Sequence, residues 1–279
     1  MRRKKDTASV MSLALRVEVW VAAVITAGVL MGIIACILYN GIPGIVSEEL
    51  FSVGDSADKA SLMPALVNTA IMTGMSLGMA LPMGVCAAVY LAEYSGKERI
   101  GVKIIRLTAE TLAGIPSIVY GLFGYMLFVI TLRWGYSLLS GAATLAVMIL
   151  PLIMRTTEDA LLSVPQASRE GSMGLGAGKA RTIFRIIIPA ALPGITAGVI
   201  LAAGRIAGES AALIFTAGTG SRIAKGVFSS TRTLSVHMYA LLTEGIYEEQ
   251  AYGTALVLLV LTGGLNAISA AAAKRFSRI

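Results

Sequence analysis

The chain has 279 residues, of which 56% are hydrophobic and 14% charged, with a mean hydropathy of +0.78. A soluble domain carries about a quarter charged residues, so this composition excludes an ordinary soluble fold and points to a chain that crosses a membrane several times. The net charge of +7 raises nucleic acid as a partner, but the placement of the basic residues along the chain marks topology instead.

The first expected span, 19–39, follows MRRKK and a polar stretch. Its apolar run is too long for a signal-peptide core and lacks a convincing cleavage site, so it is expected to stay as an anchor. The outer segment 40–67 carries Glu48, Glu49, Asp55 and Asp58. In the second span, 68–92, Pro82 invites a kink. The third, 110–132, holds Pro116 early, flanked by Gly114 and Ser117. It is expected to bend there, with the Ser117 hydroxyl helping to satisfy freed backbone groups. Gly121 and Gly124 would let a neighbouring helix approach. Further spans are expected at 138–155, 190–217 and 250–273, lengths near the roughly 20 residues a bilayer demands. Asn266 in the sixth is expected to bond across helices. Cys36 and Cys86 fall in spans and read as small buried hydrophobes.

Of the 23 lysines and arginines, Lys59, Arg133, Arg222, Lys225 and Arg232 fall in outer segments, Arg205 lies within a span, and all the others are on the inner side. Both termini are therefore expected in the cytoplasm. The organisation is a cytoplasmic segment 1–18, one transmembrane unit 19–273 with an inner loop at 155–189 and an outer loop at 218–249, and a basic tail at 274–279. The outer loop contains SVHMYALL, which suits a short surface helix, and His237, the sole histidine, reads as a surface residue.

The stretch GRIAGES, 204–210, puts Arg205 and Glu209 in an otherwise apolar run from Pro189 to Gly218. A charge at the centre of a membrane helix costs about 2.5–3.5 kcal/mol on insertion scales. On one continuous helix the two would share a face and partly neutralise each other. Gly194, Gly198, Gly204 and Gly208 form small-residue surfaces that seat this helix inside a bundle. Two readings are open: a buried bridge between helices, or Arg205 on an anion path with Glu209 competing for it and Ser210 adding a hydroxyl.

Nothing in the chain suggests chemistry of its own. GLGAGK, 174–179, has Met173 where a Walker A motif needs glycine and Ala180 where it needs serine or threonine. Neither a nucleophile–base pair nor a metal-ligand cluster stands out, so a transport component is favoured over an enzyme.

The inner loop reads as two amphipathic pieces around a glycine turn at Gly174, Gly176 and Gly178. An ordinary helical hairpin and a docking element are both consistent with it. The loop resembles the EAA loop of ABC importer permeases: Glu170, Gly171 and Ser172 occupy EAA, and Gly176, Ile186 and Pro189 fall at the remaining spacings. The departures are Gly171, Ser172 and Ile188, which keep small size or apolarity.

The resemblance extends through LPMGVCAAVYLAEYSGK (81–97), AGIPSIVYGLFGYMLFV (113–129), LPLIMRTTEDALLSVP (150–165) and LPGITAGVILAAGRIAGESAALIFTAG (192–218). Together these are similar to phosphate ABC transporter permeases of PstA type. It implies an all-α membrane protein with six transmembrane helices in the type I importer (MetI-like) fold, lying in the cytoplasmic membrane of a bacterium or archaeon. It implies partners: a PstC-type second permease, a PstB-type ATPase dimer carrying ATP and magnesium, and a PstS-type extracytoplasmic phosphate-binding protein. No cofactor is expected in this chain, and membrane lipid rather than nucleic acid is its surroundings. In the family the loop is a coupling helix, with Pro189 expected to decouple it from the next span, and the Arg and Glu of the RxxGE motif are implicated in transport. A permease for another oxyanion or a polyamine, a secondary transporter or channel, and a regulatory scaffold are the alternatives.

Overall fold

The computed structural model describes residues 2–46, 61–95, 100–245 and 247–276, and among these the regular structure is entirely helical. Glu48, Glu49, Asp55, Asp58 and Lys59 lie outside the described residues, as do residues 277–279 of the tail. Five helices are long and apolar enough to cross a membrane, and one broken pair makes up to a sixth.

Helix α1 (Arg2–Val46) is continuous and overruns the expected first span at both ends. Helix α2 (Met63–Val89) opens on a proline in its first turn, where a missing N–H costs nothing. It carries Pro82 without interruption and ends in a π-helical segment, Tyr90–Tyr94.

The third expected span is broken rather than bent. Helices α3 (Ile100–Ala113) and α4 (Ser117–Gly124), the latter prolonged by a π-helical segment Tyr125–Thr131, meet at 99°. Pro116 takes φ −57° and ψ 140°, an extended conformation that ends one helix and starts another. The carbonyl that a Pro116 N–H would have reached belongs to Leu112. It accepts instead from Ile115 N at 3.1 Å and from the Tyr120 hydroxyl at 2.9 Å. Tyr120 thus performs the task expected of Ser117.

Helix α5 (Leu138–Leu162) starts at Ser137, whose hydroxyl accepts from Ser140 N at 3.2 Å. After α6 (Gln166–Gly174), the chain turns through Gly176 at φ +86°. Helix α7 (Lys179–Thr182), a π-helical segment Ile183–Ile187 and α8 (Ile188–Ala207) then form one rod. Short helices α9 (Ala211–Thr216) and α10 (Leu234–Glu244) precede α11 (Glu248–Phe276).

Helix α5 is the centre of the bundle, with 72% of its most apolar stretch buried. Helices α2, α4, α8 and α9 pack around it; α8 in turn meets α11, and α11 meets α1. Glycines set the approach to α5: a Cβ at Gly84 would meet Ile153, at Gly124 Thr144, at Gly194 Ala160 and at Gly198 Thr156. The small-residue surface expected on the fifth span is therefore present at Gly194 and Gly198, and Gly204 faces Asn266. Gly208 does not pack this way; it is the residue on which α8 ends.

Two ends can be told apart. The basic end holds the loop side of α2, α3, α5 and α6 to α8. The far end holds the 208–245 segment, fastened to α2 by Asn68, whose side chain donates to Arg222 O at 3.0 Å and accepts from Ala224 N at 3.0 Å. Thr69 Oγ1 accepts from Leu234 N at 2.8 Å. Leu138 N and Leu139 N, at the start of α5, donate to Ser229 O and Val227 O, each at 2.9 Å.

His237, expected on the surface, is fully buried on α10, because these bonds draw the helix into the bundle instead of leaving it on the surface. Arg232 is buried beside it; burial pushes its guanidinium down, opposed by Glu244. Cys36 and Cys86, expected inside, lie on outward helix faces. The Asn266 side chain makes no hydrogen bond among the described residues; the bond across these helices runs from Ser269 Oγ to Ala197 O at 2.7 Å.

Replacing Gly198 with leucine would drive a side chain into Thr156 and is expected to lower stability by about 1–3 kcal/mol. Gly74→Leu, whose added Cβ meets nothing within 4 Å, is the control. Thermal unfolding in detergent should separate the two.

Candidate functional site

The GRIAGES segment does not form one helix. Helix α8 stops at Ala207, Gly208 N donates to Gly204 O and Glu209 N to Ile206 O, and Ser210 adopts φ −120° and ψ −49° before α9 begins. Glu209 is thereby turned away from Arg205. Its Oε1 accepts from Ala212 N at 3.1 Å, which caps α9, and its carbonyl accepts from Ser235 Oγ of α10. No ion pair joins Arg205 to Glu209 among the described residues. The expected i, i+4 pairing therefore fails, because the break lies between the two residues. Ser210 stands at the start of α9, and no side chain caps that helix from its position.

Arg205 lines two hollows. One, of about 430 Å³, is bounded by Met148, Arg155, Glu158, Arg106, Glu110 and Arg205, with Asp159 also on its wall. A smaller one, of about 280 Å³, lies between Leu152, Leu201, Gly204, Arg205 and Asn266. The residues opposite Arg205, Met148 to Leu152, are midway along α5, and the larger hollow runs from there to Leu162 at the basic end. Tyr120, at the corner of α3 and α4, is within electrostatic range of Arg205.

The hollow thus holds three guanidinium groups and three carboxylates. Two carboxylates are engaged. Glu158, 8% exposed, accepts from Arg106 Nη2 at 2.6 Å and Nε at 2.9 Å. Glu110 lies 3.5 Å from Arg155, but both are more than half exposed, so this pair contributes little to stability. Arg205 has no hydrogen-bond or ion-pair partner among the described residues. A guanidinium that reaches mid-span without a carboxylate is available to bind an anion in a forked geometry. Sequence reasoning singled out Arg205 but missed Arg106, Arg155 and Glu158, because an arginine just inside the expected inner loop reads as a topology marker.

At the basic end, Glu170 and Gly171 are exposed on α6, whereas Ser172 is buried and shares a 2.9 Å hydrogen bond with Thr182. The positive φ of Gly176 makes the turn expected there. Met173, Leu175 and Phe184 project outward, Leu175 at 91% exposure. Ile186, half-buried, borders a hollow of about 310 Å³ with Arg181 and Arg185. No break in the helix marks Pro189, where the loop was expected to decouple from α8. Pro189 lies inside the continuous Lys179–Ala207 rod, directly after the π-helical segment Ile183–Ile187 and Ile188, and the helix does not break there. Sequence reasoning also passed over Arg169 on α6, which donates to Glu93 and to two carbonyls of the α5 end.

Three comparisons bear on this arrangement. The family described as binding-protein-dependent transport system inner membrane component matches residues 80–278. A probable ABC transporter permease protein, YqgI of Bacillus subtilis, is 35% identical over 256 residues, covering 85% of this chain and 86% of that protein. The phosphate transport system permease protein PstA 1 of Mycobacterium tuberculosis is 36% identical over 209 residues, covering 74% and 68% respectively. Among solved structures, a chain of the inward-facing MetNI methionine ABC transporter matches with a TM-score of 0.62 at 18% identity, over 77% of this chain and 95% of that one. That last likeness is one of fold.

If Glu209 serves as a cap, Glu209→Gln keeps an acceptor for Ala212 N and should leave thermal stability unchanged. Glu209→Leu should cost about 1 kcal/mol. Equal losses in both variants, read by thermal unfolding, would show that the charge itself matters.

Proposed function

This chain belongs to the family of binding-protein-dependent transport system inner membrane components, and from that premise we propose that it is the PstA-type permease subunit of a phosphate ABC importer. The observation that carries the substrate is the unpaired Arg205 at mid-span, at the head of a hollow that runs to the basic end. The phosphate transport permease among its relatives supports the same assignment.

One such chain supplies half of a pathway. A PstC-type permease would supply the other half, and Arg205, exposed in the single chain, would face it. A PstS-type binding protein would deliver phosphate at the far end. A PstB-type ATPase dimer would bind ATP and magnesium and seat the exposed face of α6, with Glu170 and Gly171, at the basic end. This orientation puts both chain termini in the cytoplasm, in keeping with the positive-inside distribution.

The geometry suggests how an anion moves. Phosphate exchanges water for the planar donors of Arg205, which offers paired hydrogen bonds without a competing carboxylate. Arg106 and Arg155 lie further along the hollow, each already matched to a carboxylate. Their net attraction is weaker, so the anion is released toward the basic end and not held. Glu209 and Ser210 do not exchange with phosphate in this reading. They fix the α8–α9 break and its tie to α10, which closes the far end. Alternating access then requires the α8 rod to move relative to that tie.

Arg205→Gln removes charged donors, each bond being worth about 1.5–3 kcal/mol, and is expected to lower phosphate uptake by about tenfold or more. Arg205→Lys should recover only part of the rate. The measurement is phosphate uptake into vesicles containing the complete complex, with assembly verified by co-purification. Uptake by assembled Arg205→Gln at the wild-type rate would sink the assignment of Arg205 to the path.

A further inference from the structure

Helix α6 has little to hold it. Of its residues Gln166–Gly174, Ser172 is buried and Arg169 half-buried; the rest are exposed. Hydrophobic packing therefore does not fix this helix against the bundle, and polar bonds must.

Arg169 supplies them. Its side chain is 12% exposed and that of Glu93 is 8%. The guanidinium donates from Nε and Nη2 to Glu93 Oε1, at 3.1 and 3.0 Å. It also donates from Nη2 to Leu161 O at 2.6 Å and from Nη1 to Val164 O at 2.5 Å. Glu93 belongs to the π-helical segment that ends α2. Leu161 is in the last turn of α5, its carbonyl also accepting from Val164 N at 3.3 Å, and Val164 lies just past the end of that helix. One side chain on α6 thus joins α2, α5 and α6. A second cation repeats the tie on the same segment of α2: Lys179 Nζ lies 4.8 Å from the centre of the Tyr94 ring.

A buried ion pair is a poor device for stability alone, since well-packed apolar residues do as well. Its distinctive property is directional. A forked guanidinium holds three elements at fixed distances, so that a displacement of α6 is passed to both neighbours and not absorbed in a loop. We propose that Arg169, with Glu93, is the positioning residue through which force on α6 reaches the inner ends of α2 and α5, so that it sets how much substrate moves per ATP hydrolysed. This rests on the reading of the chain as the permease of an ATP-driven importer.

The test uses the complete complex in vesicles, measuring phosphate uptake and ATP hydrolysis together. Arg169→Gln should assemble and hydrolyse ATP in response to loaded binding protein, while phosphate imported per ATP falls by about tenfold. Glu93→Gln keeps both carbonyl bonds of Arg169 and should show a smaller fall in the same ratio. Arg169→Lys, which keeps the charge but not the fork, should not restore it.

An unchanged ratio in assembled Arg169→Gln overturns the proposal. If that variant does not assemble, an unchanged ratio in Glu93→Gln overturns it, as does failure of both to assemble, which would make the pair a scaffold only. Wild-type complex in the same series tests the premise separately: ATP hydrolysis without any phosphate import by wild type counts against the substrate reading and not against the joint.

Discussion

The structure depends on how closely its helices approach α5. In a bilayer, lipid tails are as apolar as leucine side chains, so helices gain little from hiding hydrophobic surface and must gain from contact. Three helices bring glycine to that contact: Gly84 from α2, Gly124 from α4, Gly194 and Gly198 from α8. Each lets its helix sit against a side chain of α5 with no Cβ between. The broken α3–α4 pair, the long α8 rod and the far-end cover all take their positions from helices seated in this way. Arg205 is carried to mid-span by the same seating, since Gly198 and Gly204 fix the rotation of α8 about its axis.

The bundle treats its charges by two different rules. Arg106, Arg155 and Arg169 each meet a carboxylate, and the buried Arg169–Glu93 pair and the partly buried Arg106–Glu158 pair tie separate helices together. Arg205 meets none. Its expected partner, Glu209, is spent on a backbone N–H of α9. Among the described residues, Arg205 thus reaches its hollow unmatched, while Arg106 and Arg155 on the same wall each have a carboxylate. The continuity of the Lys179–Ala207 rod adds a mechanical reading, for the helix that follows the basic-end turn also carries the arginine that lines the larger hollow.

Much of this was legible in the sequence. Apolar run lengths gave the spans, and the spacing from Glu170 to Pro189 marked the exposed α6 and its turn. What escaped was tertiary. The i, i+4 argument for Arg205 and Glu209 assumed an unbroken helix, although Gly208 followed by Ser210 is a stop-and-restart signal of the ordinary kind. It was passed over because the glycine also fitted a packing repeat. His237 looked like a loop residue because its burial depends on Asn68 and Thr69, far away in the chain. Arg169 looked like one more positive-inside charge, and no local pattern distinguishes it from Arg181 or Arg185. Pro116 was read correctly as a disruption, but the depth of the break depended on Tyr120 being able to take the Leu112 carbonyl.

Helix α1 has one further consequence. Its apolar stretch is 0% buried, and its close contacts are with α11, where Gly41 faces Tyr252 and Leu256 and Gly44 faces Glu249 and Gly253. A ribosome makes α1 early and α11 some two hundred residues later. Between those moments α1 has entered the bilayer with its docking site still unmade. It must therefore be a stable lipid-solvated helix in its own right, docking on the bundle only once α11 has been made.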